Sequence, residues 1–171
     1  MVKHPLGAPS LLILGHGAHG KDSAAEYLSS ITGLLFESSS LAASEIVIYP
    51  SLRNLCGYAS AEDCFEDRRN QREEWKRLIT EYNTPDKGRL CREILERRNG
   101  YIGMRCHFEF DATCELFDFV LYIDASERLP DDPTMMIPYD SESMIRIDNN
   151  GSEEDMQESL LAWAREVGIC Y

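Results

Sequence analysis

The chain has 171 residues, 43% of them hydrophobic, which is enough for one domain to bury a core without disulfides or a structural metal. A formal charge of −13 argues against non-specific adhesion to nucleic acid, because uniform negative charge repels phosphate. No apolar run approaches the roughly 18 residues of a membrane span, no leader pattern opens the sequence, and the six cysteines never form a C-x-x-C pair, so a cytoplasmic protein with no membrane partner, zinc centre or redox motif is expected.

Apolar runs alternate with helical patterns along the chain, as in an α/β domain with a parallel sheet. "SLLILG" (10–15) reads as a buried strand and "GLLFESSS" (33–40) as a second, with a helix from about Asp22 to Ser30 between them. "SAEDCFEDRRNQREEWKRLITEYN" (60–83) opens on a Ser60-x-x-Asp63 cap and carries Phe65, Trp75, Leu78, Ile79 and Tyr82 near helical spacing, so it predicts one or two helices. "DKGRLCREILERR" (86–98) predicts another, with Leu90, Ile94 and Leu95 on its apolar side. "GYIGMR" (100–105) reads as a third strand, "DATCELF" (111–117) as a helix and "FDFVLYIDAS" (117–126) as a fourth strand. "PDDPTMMIPYDSES" (130–143) has too many prolines and acids for regular structure and predicts a mobile loop. "MIRIDNNG" (144–151) is a fifth strand, followed by a terminal helix over 152–168.

Charge divides sharply along this order. Residues 68–105 hold 11 of the 17 Lys and Arg and 6 of the 30 Asp and Glu, a local balance of +5 against −18 for the remainder. A basic surface for a phosphate-bearing partner is compatible with that division.

Between the first strand and first helix, Gly15-His16-Gly17-Ala18-His19-Gly20-Lys21 matches G-x-x-x-x-G-K. Glycines there let successive backbone N–H groups point inward at phosphate oxygens, and Lys21 reaches the β- and γ-phosphates. The helix that follows directs its partial positive end at the same anion. The usual pattern has Ser or Thr after the lysine to bind Mg²⁺, whereas here Asp22 stands there and Ser23 follows. Asp22 either binds the metal, directly or through water, or acts as a carboxylate at the helix N-terminus. His16 and His19 fill variable loop positions and lack the partner spacing of metal ligands.

"GHGAHGKDS" resembles the G-x-x-x-x-G-K-D-[ST] loop of the bacteriophage deoxynucleoside monophosphate kinases, and "IDNNGSEEDM" resembles that group's closing D-x-x-I-x-N-x-G-[ST]-x-x-x-[LM] pattern. "SSSLAASEIVIYPSL", "GYASAEDCFEDRRNQREEW", "LITEYN" and "YIGMR" are similar to the phage kinases that act on 5-hydroxymethyluracil in DNA during thymidine hypermodification. The resemblance spans about residues 11–151. It implies a single P-loop kinase domain over 1–171, with a helical acceptor-binding insertion at about 45–99 and a lid loop at about 126–143. It further implies ATP with Mg²⁺ as cofactors and, if the chain is phage-encoded, the host cytoplasm as its location.

Within that frame Arg68, Arg69 and Arg72 lie in the insertion where the acceptor is expected, and Arg105 closes the third strand on the carboxyl side of the sheet. Arg128 follows the fourth strand as a lid arginine. Asp67 is either a general base that orients the acceptor hydroxyl or the salt-bridge partner of Arg68 or Arg105. Asp124 is expected to cap the turn after its strand. Ser38, Ser39 and Ser40, with Glu45 and Tyr49 beyond them, either read a base edge or, in the case of the serines, simply end a strand and cap a helix. Trp75 is expected in the core, with stacking against a base as the alternative. The acceptor is 5-hydroxymethyluracil in DNA or, alternatively, a free deoxynucleoside monophosphate. A third alternative is a non-catalytic nucleotide-binding module, although no guanine-reading N-K-x-D is present. Nothing in the sequence sets an oligomeric state.

Overall fold

The computed structural model describes residues 7–170; residues 1–6, the start of the segment without a leader pattern, and Tyr171 lie outside the described residues. Five strands, β1 (Leu11–Leu14), β2 (Phe36–Ser38), β3 (Gly100–Ile102), β4 (Phe119–Asp124) and β5 (Ile145–Asp148), form one parallel sheet in the order β2-β3-β1-β4-β5. The central strand is in register with both neighbours, Leu11 lying opposite Gly100 on one side and Phe119 on the other. All four β1 residues are fully buried, as a strand covered on both faces requires.

The helices are α1 (Lys21–Thr32), α2 (Ser39–Ala43), α3 (Tyr49–Cys56), α4 (Ala61–Glu66), α5 (Arg72–Tyr82), α6 (Arg89–Leu95), α7 (His107–Thr113) and α8 (Glu153–Glu166). A π-helical turn (Ser44–Ile48) joins α2 to α3, and 3₁₀ turns follow α4 (Asp67–Arg69) and α7 (Cys114–Leu116). On one sheet face Leu11, Ile13, Leu121, Ile123 and Ile147 pack against Ala24 and Leu28 of α1 and Met156, Leu160 and Trp163 of α8. On the other, Leu12, Leu14, Tyr101 and Tyr122 share a core with Ala42, Ile48, Leu52, Trp75 and Ile94 of the helical insertion. Alternation along each strand divides the two cores, and their burial is the main force holding the layers together. Among the described residues no helix is long and apolar enough to cross a membrane.

The predicted strands recur with tighter limits, and the Ser60 cap is present, its hydroxyl accepting from Asp63 N at 3.1 Å. Three expectations need correction. Helix begins earlier than the insertion expected from about residue 45: residues 39–56 are helical throughout, because Ser38 ends β2 and caps α2 by accepting from Leu41 N, while Pro50 occupies the first turn of α3, where a missing N–H costs nothing. The helix predicted over 111–117 begins at His107 and tightens to a 3₁₀ turn after Thr113. The loop expected to be mobile is fastened. Arg128 Nε donates to Asn149 O at 2.6 Å, Asp132 N to His16 Nδ1 at 2.9 Å and Met136 N to Arg105 O at 2.9 Å, and Ile137 is buried in the core. Proline and acid content shows that a loop has no ladder of its own, but not where its N–H groups find partners elsewhere.

Candidate functional site

The loop from Gly15 to Gly20 sits at the carboxyl end of β1 and runs directly into α1. Gly15 has φ 138° and Gly20, the residue before the helix, φ 96°, both in the region that favours glycine. Space adds to that requirement: a Cβ on Gly15 would lie 2.4 Å from Ile123 O, and one on Gly20 would lie 2.4 Å from Asn149 Nδ2. Asn149 Nδ2 in turn donates to His19 O at 2.8 Å, so the residue pair after β5 closes the loop from behind. Lys21 opens α1 and folds back, its Nζ donating to Gly15 O at 2.8 Å and His16 O at 2.5 Å. Burial, reinforced by the nearby Arg105, lowers its pKa to about 8.

The two loop histidines have different surroundings. His19 is fully buried, its Nδ1 accepts from Ala125 N at 3.1 Å, and burial lowers its pKa, so it is a neutral strut. His16 Nδ1 accepts from Asp132 N, which assigns the ring proton to Nε2, 3.5 Å from Asp131. Both therefore fasten the loop to its neighbours.

In front of the loop lies a cleft of about 600 Å³. Gly17, Ala18, Lys21 and Asp22 form one wall; Arg68, Arg69 and Arg72 form the other, with Phe65 and Trp75 beside them. Ser38, Ser39 and Ser40 line the sheet edge together with Gly103 and Arg105. Residues far apart in sequence are thus brought to one space; Ser38 caps α2, and all three serines line the cleft. Trp75, expected in the core, is 6% exposed and also lines the cleft.

The arginines of the basic stretch divide into two sets. Arg77 pairs with Glu74 and Glu81, Arg89 with Glu93, Arg92 with Asp86, and Arg97 and Arg98 with the buried Glu37. Arg105 reaches Asp132 at 2.5 Å and also donates to the Thr134 hydroxyl. Among the described residues no carboxylate lies within ion-pair distance of Arg68, Arg69 or Arg72. Arg68 stacks over the Phe65 ring at 3.9 Å and donates to Phe65 O, which orients it. Of the four arginines that line the cleft, Arg105 pairs with Asp132, while Arg68, Arg69 and Arg72 have no carboxylate within ion-pair distance among the described residues.

Other expected site residues lie elsewhere. The Asp67 carboxylate accepts from Tyr58 OH at 2.5 Å and Asn70 Nδ2 at 2.6 Å and does not line the cleft; these donors hold its pKa down, which fits neither a poised base nor a partner of Arg68 or Arg105. Glu45 lies 3.4 Å from Arg97, and Tyr49 OH donates to Ala59 O, both outside the lining. Ser23 is exposed on the first turn of α1 without facing the cleft. Arg128, expected as a lid arginine, fastens the start of its loop to Asn149 O and is likewise outside the lining. Asp124 accepts from Ser126 N at 2.9 Å, the turn cap expected of it, and pairs with Arg146.

Sequence reasoning missed Asp132. Its carboxylate would lie 2.8 Å from a Cβ on Gly17 and faces Arg105, and donation from Thr134 together with Arg105 holds its pKa at about 2. The Asp132-Pro133-Thr134 turn was the only local signal. For a metal, no group of three or more His, Cys, Asp or Glu stands ready among the described residues. Asp22 fits Mg²⁺ in the way that ion usually binds, through one or two carboxylates and the phosphates of a ligand.

A parallel sheet in this strand order, with helices on both faces and a glycine loop and lysine leading from the central strand into α1, is a three-layer α/β fold with the strand-loop-helix arrangement of a P-loop. No protein-family model and no curated protein matches the chain. Among solved structures it is similar to a sugar kinase from Janibacter sp. HTCC2649, at 17% identity and TM-score 0.47, covering 96% of this chain and 99% of that one. It is also similar to a gluconokinase from Sinorhizobium meliloti 1021, at 11% identity and TM-score 0.46, covering 94% and 95%.

Proposed function

We propose that the chain transfers the terminal phosphoryl group of ATP to an oxygen of a phosphate-bearing deoxynucleotide, either a hydroxyl of its base or, in the second reading below, its 5′-phosphate. The observation that carries this reading is the pairing across one cleft of a lysine-bearing phosphate loop with three arginines that lack acidic partners. The loop amides and Lys21 hold the donor triphosphate, while Arg68, Arg69 and Arg72 grip the acceptor's own phosphate. The acceptor oxygen attacks the γ-phosphorus as the bond to the β,γ-bridging oxygen breaks. Such transition states are loose, so positive charge and alignment matter more than a strong base, which suits a cleft from which Asp67 is absent. Lys21 and Arg105 are the residues available to neutralise the developing charge. Mg²⁺, held by Asp22 and the phosphates, would supply further charge neutralisation when bound.

The matches in "EDRRNQREEW" and "YIGMR" favour 5-hydroxymethyluracil in DNA as the acceptor, with the nucleotide withdrawn from the stack to expose its hydroxymethyl group. The −18 balance of the remaining chain favours a second reading, a free deoxynucleoside monophosphate, since a long polyanion would meet more acidic surface than one nucleotide does. Incubation with γ-labelled ATP tests both. Label in a hydroxymethyluracil oligonucleotide and not in free monophosphates supports the first, the reverse supports the second, and label in neither overturns the enzyme reading.

A further inference from the structure

Behind the arginine cleft lies a smaller chamber of about 180 Å³, which shares Ser39, Ser40, Gly103 and Arg105 with it. At about 30 Å³ per liquid water this is room for some six waters, or one flat ring, and not for a whole nucleoside. Ile79 and Leu90 give it apolar sides, and Glu109 of α7 supplies a carboxyl group at its lining. Tyr101, a fully buried tyrosine of β3, donates its hydroxyl to Glu109 Oε1 at 2.7 Å, which fixes the carboxyl group and leaves Oε2 without a hydrogen-bond partner among the described residues. No cation pairs with Glu109 among the described residues, although six of the surrounding arginines have carboxylate partners. The carboxyl group is half-buried between apolar walls and oriented by one donor, and its second oxygen is open to the chamber, where a ligand N–H can take the place of water.

Resting on the acceptor reading above, we infer that this chamber receives the acceptor's ring and that Glu109 selects it by accepting its N–H. The chemistry of a uracil-type ring matches the lining. Its one N–H lies between two carbonyls, and the chamber lining holds one acceptor, Glu109, and the Ser40 hydroxyl as a donor, while the Ser39 hydroxyl donates to Gly103 O at 3.3 Å and would turn from it to reach a ring carbonyl. Burial pushes the Glu109 pKa up to about 7, so near neutrality the group meets the ring either as a carboxylate or as an acid that both donates and accepts. Specificity built on a buried hydrogen bond rejects a ligand lacking it more strongly than shape alone does.

The test uses 5-hydroxymethyl-2′-deoxyuridine, both as its 5′-monophosphate and within a short oligonucleotide, each prepared with a free and a methylated ring N3. Binding to the full chain is measured by calorimetry in the presence of a non-hydrolysable ATP analogue. Wild type is expected to prefer the N–H form by roughly tenfold to a hundredfold. Glu109→Ala is expected to bring that ratio close to one, and Glu109→Gln, which keeps the volume and a neutral acceptor, to leave an intermediate ratio. Equal binding of the two forms by wild type, or an unchanged ratio in both variants, overturns the inference while leaving the acceptor reading standing. If wild type binds neither the monophosphate nor the oligonucleotide, the acceptor reading falls and the inference falls with it.

Discussion

The glycine loop and the arginine wall line one cleft and are held by opposite means. The loop is fixed by main chain and by close approach: Gly15 against Ile123 O, Gly20 against Asn149, and Lys21 folded over two loop carbonyls. The arginine wall stands on short helical pieces, and its three charged groups are left without carboxylate partners while their neighbours on α5 and α6 are paired. One side is a shape that exists before any ligand arrives. The other is an unbalanced charge that an anion would complete.

Breaking the loop side should give the largest effects. Lys21→Ala is expected to reduce phosphoryl transfer on the order of a thousandfold in a labelling assay, while its denaturation free energy moves by less than about 1 kcal/mol. Loss of folding in that variant would make the lysine structural and dissolve the contrast. Gly20→Ala should do the opposite and cost stability, about 3 kcal/mol by urea titration, because it combines a left-handed φ with a side chain driven into Asn149. Next in size is the arginine side. Arg69→Ala and Arg72→Ala should each raise the acceptor KM roughly tenfold with ATP affinity unchanged. Arg77→Ala and Arg92→Ala, whose partners are exposed carboxylates, should leave KM alone and shift stability by about 1 kcal/mol at most. Equal effects from both pairs would show that partnering does not mark the functional set.

The smallest effect concerns pH. Lys21, with its pKa lowered to about 8, carries its charge below that pH and loses it as pH rises through it. Affinity for an ATP analogue should therefore fall above pH 8, by at most about tenfold per pH unit, and the Lys21 contribution should vanish in Lys21→Ala. Calorimetric titration at pH 7, 8 and 9 checks the sign.

The same contrast sets how much was readable in advance. The loop is a pattern of backbone needs, and backbone needs choose residue types locally, so Gly15, Gly20 and Lys21 stand out in the sequence. The strands do too, because burial on both faces demands unbroken apolar runs such as Leu11–Leu14. The insertion was only partly legible. Residues 39–56 mix serines, β-branched residues and a proline, and their helical state follows from packing against Leu12, Leu14 and Tyr101 rather than from propensity. Asp67 looked suited to catalysis until Tyr58 and Asn70 accounted for its oxygens. Arg69 and Arg77 lie in one basic run; the partners of Arg77, Glu74 and Glu81, stand three and four residues away on its own helix, whereas the place of Arg69 beside the glycine loop follows only from tertiary structure. Glu109 carried no signal at all, since it meets Tyr101 across a strand-to-helix turn.

The bond from Asn149 to His19 joins residues 130 positions apart. Vectorial synthesis makes the glycine loop 130 residues before the amide that closes it, so its final shape waits on the docking of β5, and a chain stalled before residue 145 would carry the loop's glycines without the contact that sets them.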